Sequence, residues 1–154
     1  MNRINLDWSL LDASGLTASD AQLLDSARHA LSQAYAPYSK FRVGAALRLV
    51  DGTVVTGNNQ ENASFPNGLC AERVAMFAAA SSFPDVAFDS LAIVTQSQTP
   101  VCPCGICRQT MLEYTNRFAK PFTLIVAGAT DEVMFFEDAA ELLPLGFTSR
   151  HLKT

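Results

Sequence analysis

Long apolar runs are missing from this chain of 154 residues. No stretch approaches the ~18 consecutive apolar residues of a membrane span. The opening Met1-Asn2-Arg3-Ile4-Asn5-Leu6-Asp7-Trp8 has no apolar segment of the secretory kind. The expectation is a cytoplasmic protein with no membrane partner. Runs of Lys or Arg are missing too. With 11 basic and 15 acidic side chains the formal net charge is −4, so the electrostatic footprint of a nucleic-acid binder is absent. Histidine is confined to His29 and His151, neither at ligand spacing to the cysteines. There are four cysteines, Cys70, Cys102, Cys104 and Cys107, three of them within six positions. Without a secretion signal, such clustering favours a metal or catalysis over a disulfide frame. Repeats, low-complexity segments and linkers are also absent. One domain over residues 1–154 is expected, with 1–16 as an N-terminal arm.

What is present is an ordinary globular composition, 49% hydrophobic. A chain of this length buries roughly 68–70% of its unfolded surface, enough for a full core. In the arm, Leu6, Trp8, Leu10 and Leu11 are expected to pin the chain to the body. Ser19-Asp20-Ala21-Gln22 fits a capping box. Leu24, Ala27, Leu31 and Ala34 then recur at helical spacing, predicting a helix over about 19–35 that Pro37 ends. Strands are predicted at 43–50 and 53–57, joined by the hairpin signal Asp51-Gly52. A polar loop from Asn58 to Leu69 follows, long enough to suggest function. Helix is predicted over 70–80, with Val74, Phe77 and Ala78 as its apolar face, and again from 105 to about 118. Buried strands are predicted at 90–95 and 122–126, an antiparallel return at 132–136, and a short helix at 139–143. The order predicts an α/β fold with three layers, α-β-α, around a five-stranded mixed sheet.

Cys70-Ala71-Glu72-Arg73 and Pro103-Cys104-Gly105-Ile106-Cys107 each open a predicted helix. The positive end of a helix favours the thiolate that a metal needs. Zinc takes thiolates at ~2.3 Å, and catalytic sites use three protein ligands plus water. Cys70, Cys104 and Cys107 would form such an open site. Adding Cys102 would close it into a structural Cys₄ site, although Pro103 makes that spacing stiff. The common iron–sulfur spacings are absent. Glu72 reads equally as a first-turn carboxylate favoured by the helix dipole or as a proton carrier beside the metal. Arg73, and less strongly Arg108, are candidates to offset excess thiolate charge by bonding sulfur.

The two cysteine segments resemble the zinc site of the small cytidine deaminases. Ala36-Pro37-Tyr38-Ser39-Lys40-Phe41-Arg42-Val43-Gly44-Ala45-Ala46 resembles that family's N-terminal signature. Asn59-Gln60-Glu61-Asn62-Ala63-Ser64 resembles its ribose loop, and Glu141-Leu142-Leu143-Pro144 with Phe147 its C-terminal element. The resemblance runs from about residue 20 to residue 147. It implies the cytidine deaminase-like fold, one Zn²⁺ per chain on Cys70, Cys104 and Cys107, and Glu72 as the catalytic proton shuttle. It implies that the main chain at Ala71 helps hold the pyrimidine, that Asn59 and Glu61 grip the ribose, and that Phe41 packs on the base. Phe147 would reach a neighbouring subunit's site. The implied activity is hydrolysis of cytidine and 2′-deoxycytidine in pyrimidine salvage, by a homotetramer. Two alternatives stand beside it: a deaminase of another aminopyrimidine such as blasticidin S, and a non-catalytic Cys₄ zinc module. Phe65 stands where the family commonly has Tyr, and Cys102 where it commonly has a small polar residue.

Overall fold

The computed structural model describes residues 3–152; Met1 and Asn2 of the arm, and Lys153 and Thr154 of the tail, lie outside it. The chain runs β1 (Ser9–Asp12), α1 (Ala18–Ser32), β2 (Val43–Leu49), β3 (Val54–Asn58), α2 (Ala71–Ser82), β4 (Phe88–Thr95), α3 (Gly105–Phe118), β5 (Thr123–Ala127) and β6 (Glu132–Phe136). Short 3₁₀ turns follow at Ala139–Leu142 and Ser149–Leu152. Among the described residues no helix is long and apolar enough to cross a membrane.

The strands form one mixed sheet in the order β1-β6-β5-β4-β2-β3. Only the β4–β5 pair is parallel, linked by the α3 crossover. The sheet therefore has six strands, where five are predicted. The sixth is in the arm, where Leu10 pairs with Met134 and Leu11 with Val133 along the free edge of β6. Four residues without period-2 alternation carry no strand signal of their own; the open edge of β6 supplies the hydrogen bonds that order them. Trp8 anchors the arm as expected, stacking on Phe136 with ring centroids 6.3 Å apart. Leu6 and Leu10 stay largely exposed.

Two faces of apolar side chains make the three layers. Leu23, Leu24 and Ala27 of α1 pack on Ala46, Ala92, Val94 and Ile125. Ala75, Met76 and Ala79 of α2, with Met111 of α3, pack on Ala45, Leu47, Leu91 and Ile93 of the opposite face. Neighbouring strand residues alternate between the two clusters, as a pleated sheet requires.

Local details shift several boundaries. Thr17, not Ser19, caps α1: its hydroxyl accepts from Asp20 N at 3.2 Å and donates to Asp20 Oδ2 at 2.8 Å. Asp20 also receives Arg48 Nη2 at 2.8 Å, while Arg48 Nε reaches Asp89 Oδ2 at 2.8 Å, so a partly buried ion group ties the first turn of α1 to β2 and β4. The helix stops at Ser32 instead of 35. Tyr35 N donates to Asn59 O and Tyr35 O accepts from Glu61 N, which draws that backbone into a bridge with the loop after β3. The hairpin turns at Gly52, whose φ of 88° is left-handed.

The buried face of α2 also differs from expectation. It comprises Ala71, Glu72, Ala75, Met76 and Ala79, while Phe77 and Ala78 face outward. Alanine on every side of this helix weakens its apolar periodicity, and close approach to the sheet decides the orientation. A Cβ on Gly57 of β3 would lie 2.5 Å from Ala75 N and 2.6 Å from Ala71 O. Only a glycine in the strand and small residues in the helix permit that distance, and it holds the first turn of α2 against β3.

Candidate active site

The cysteine segments meet because α2 and α3 lie on the same face of the sheet with their N-termini together. Cys70 is the N-cap of α2 and Cys104 the N-cap of α3, and neither side chain caps its helix. Cys107 lies in the first turn of α3 and is buried. The sulfurs of Cys70, Cys104 and Cys107 lie within 4.8 Å of one another, and Cys70 Sγ is 3.8 Å from Cys104 Sγ. Tetrahedral zinc with bonds of about 2.3 Å spaces its sulfurs by about 3.8 Å, so the donor set fits this ion in number, kind and distance.

Hydrogen bonding from Cys107, with help from Arg73, pulls the Cys70 thiol down to about 5. Cys107 is pushed well above the usual thiol range, because it donates to Cys70 and is buried. Thiolates packed this closely repel, and a divalent cation among them offsets the repulsion. Arg73 Nη2 donates to Cys70 Sγ at 3.7 Å. Arg108 does otherwise: Nε donates to Pro103 O at 2.7 Å and Nη1 to Leu142 O at 3.4 Å, bracing the loop before Cys104 without touching sulfur.

Cys102 stands outside the three-sulfur group. Its Sγ faces Met134 Sδ at 3.9 Å on the sheet side of the cleft. A Cys₄ site would need Cys102 among the other sulfurs, and the stiff Pro103 turns it away.

Glu72 is 4% exposed. Burial, and then the neighbouring Cys70 charge, raise its carboxyl above the ordinary range, because both disfavour the charged form. It lines a cleft of about 440 Å³ together with Cys70, Cys104, Phe41, Asn59 and Glu61. That size suits a small-molecule ligand. The cleft opens where β2 begins and β4 ends, at Val43 and Thr95.

Two bridges pin the loop after β3, Tyr35 to Gln60 and Gln60 to Leu69. They place Asn59 and Glu61 on the cleft wall. The Asn59 amide is already in use: Oδ1 accepts from Val43 N at 2.9 Å and Nδ2 donates to Phe41 O at 2.9 Å. One N–H and one lone pair remain for a ligand. The Glu61 carboxylate accepts from Tyr38 N at 2.8 Å and Ser39 N at 3.2 Å through Oε2, and from the Ser39 hydroxyl through Oε1. These bonds, the Ser39 hydroxyl foremost, hold its carboxyl below the usual range.

Ala71 is fully buried between Cys70 and Glu72. Phe147 does not enter this chain's own cleft; it is 56% exposed and stacks on His151 at 5.3 Å. Sequence reasoning passed over Ser39 as a site residue. Its position two residues before Phe41 was the available signal.

The family model for the cytidine and deoxycytidylate deaminase zinc-binding region matches residues 17–119. A cytidine deaminase of Sporosarcina psychrophila is 40% identical over 131 residues, covering 85% of this chain and 93% of that protein. One of Halalkalibacterium halodurans is 41% identical, covering 84% and 95%. The crystal structure of cytidine deaminase from Burkholderia pseudomallei superposes with a TM-score of 0.76 at 37% identity, covering 86% of this chain and all of that one. The matched stretch contains the three clustered thiols and Glu72, and it begins where the N-terminal arm ends.

Proposed function

This chain belongs to the cytidine deaminase family, and on that premise we propose that it hydrolyses the 4-amino group of cytidine and 2′-deoxycytidine. The products are uridine or 2′-deoxyuridine and ammonia. The observation that carries this reading is the burial of Glu72 beside three clustered thiols at the end of a nucleoside-sized cleft.

Cys70, Cys104 and Cys107 would hold zinc, one ion per chain, which would supply the Lewis acidity that makes a water nucleophilic toward C4 of the base. Glu72 moves the protons. It takes one from that water and delivers it to N3 as the C4–O bond forms. It then carries the remaining proton of that oxygen to the exocyclic amine, which leaves as ammonia as the C4–N bond breaks and the C4 carbonyl forms. A buried carboxyl whose affinity for protons is raised suits both halves of this task. Arg73, bonded to Cys70 Sγ, withdraws some of the surplus thiolate charge. The main chain at Ala71 helps hold the pyrimidine at the start of α2. Phe41 packs on the base, while Asn59 and Glu61, which line the same cleft, read the ribose hydroxyl. Their presence favours a plain nucleoside over another aminopyrimidine, and the place of Cys102 disfavours a closed zinc module.

The active form is read as a homotetramer in which Phe147 serves a neighbouring site. Exposed Phe65, Phe77, Ile106 and Phe147 support an interface between copies. Residues 1–154 are read as one domain; in support, β1 of the arm joins the common sheet. A role in pyrimidine salvage in the cytoplasm, without nucleic-acid partners, is consistent with the net charge of −4.

Ammonia release from cytidine, measured with and without a zinc chelator, tests the proposal. Turnover that the chelator abolishes and added zinc restores is expected. Stoichiometric zinc without turnover of cytidine or deoxycytidine would overturn it.

A further inference from the structure

One hydroxyl joins two residues that line the cleft. Ser39 Oγ donates to Glu61 Oε1 and accepts from Phe41 N at 3.0 Å. It thereby links the carboxylate on the ribose side to the backbone of the aromatic on the base side. The rest of this loop is braced around the same point. Gln96 Nε2 donates to Lys40 O at 2.7 Å, where Lys40 takes a left-handed φ of 58°. Asn59 Nδ2 bonds Phe41 O at 2.9 Å. Ser39 itself is exposed and fills no core space, so packing does not account for its bonds.

Lone-pair bookkeeping sharpens its part. A carboxylate offers about four acceptor positions. Tyr38 N and Ser39 N occupy two on Oε2, and the Ser39 hydroxyl occupies one on Oε1. One position is left, on Oε1. The hydroxyl that bonds this same oxygen governs where the remaining lone pair points.

We propose that Ser39 is a positioning residue for substrate binding, whose hydroxyl aims the open acceptor of Glu61 at the ribose. This rests on the reading of Glu61 as a ligand contact. Without the hydroxyl, Glu61 keeps its two backbone bonds on Oε2 but Oε1 is free to swing. The loss falls on binding of a sugar that carries the hydroxyl, and less on the chemistry at C4. The low proton affinity of Glu61 is consistent with this, since Ser39 is its largest cause.

The test compares KM and kcat for wild type, Ser39→Ala, Ser39→Thr, Glu61→Gln and Ser39→Ala/Glu61→Gln on cytidine and on 3′-deoxycytidine. Loss of one hydrogen bond worth about 1 kcal/mol predicts a rise of about fivefold in KM for cytidine in Ser39→Ala. kcat should change less. Ser39→Thr, which keeps the hydroxyl, should restore the wild-type KM. On 3′-deoxycytidine, Ser39→Ala and wild type should converge. The double variant should match Glu61→Gln alone, because Ser39 acts through that carboxylate. If Glu61→Gln raises KM while Ser39→Ala does not, or if the two effects simply add, the positioning role is overturned and the reading of Glu61 stands. If Glu61→Gln itself leaves KM unchanged, the ribose-reading role falls and takes this inference with it.

Discussion

Gly57 on β3 and Ala75 on α2 are so close that a Cβ on the glycine would stand 2.5 Å from the Ala75 nitrogen. The contact lies one turn beyond Glu72 on the buried face of the helix. It is therefore the point at which the sheet sets the depth of the proposed catalytic carboxylate.

Gly57→Ala should consequently affect both stability and function. Overpacking against backbone atoms costs about 1–3 kcal/mol, readable as a lower midpoint in urea unfolding. The displaced first turn of α2 should also lower kcat. A variant with wild-type stability and turnover would show that the helix can back away freely.

Glu72→Gln should fold and bind zinc stoichiometrically, because the amide is nearly isosteric with the acid. It cannot carry a proton. Turnover of cytidine is expected to fall by about 10²–10⁴. Near-normal activity would remove Glu72 from the proton path.

The cysteines should divide into two classes. Cys104→Ser should lose zinc and activity, since a hydroxyl is a poor substitute for a thiolate ligand. Cys102→Ser should keep both, because its sulfur faces Met134 at 3.9 Å and not the other three. Metal analysis of the two purified variants decides this, and loss of zinc from Cys102→Ser would restore the four-cysteine arrangement.

Phe147 is exposed and does not line its own cleft, so its function is expected across a subunit boundary. Phe147→Ala should lower activity. Mixing it with Glu72→Gln under conditions of subunit exchange should recover part of the activity, because a Glu72 site can then receive Phe147 from the other chain. No recovery, in a mixture shown by native mass spectrometry to contain hybrids, would count against shared sites.

Local chemistry was legible wherever neighbouring residues decide the outcome. The spacing Cys104-x-x-Cys107, the two helix starts, the left-handed turn at Gly52 and the run of buried strands β4 and β5 all follow from short-range rules. The cap of α1 moved by two residues because Thr17 reaches Asp20, which the ion group with Arg48 and Asp89 holds in place. The face of α2 was rotated because alanines on all sides leave the choice to Gly57 across the sheet.

By itself, the sequence determined the candidate donors: four thiols, one carboxylate and a loop with an amide and a carboxylate before them. Residue types and spacing decide which groups a chain can offer a metal or a ligand. Only the tertiary structure decided their number and direction. It brought Cys70 within 3.8 Å of Cys104, turned Cys102 toward Met134, committed Arg108 to the backbone and gave β6 its partner in the arm. These outcomes depend on where two helix ends and one sheet edge lie in space, and no spacing along the chain encodes that.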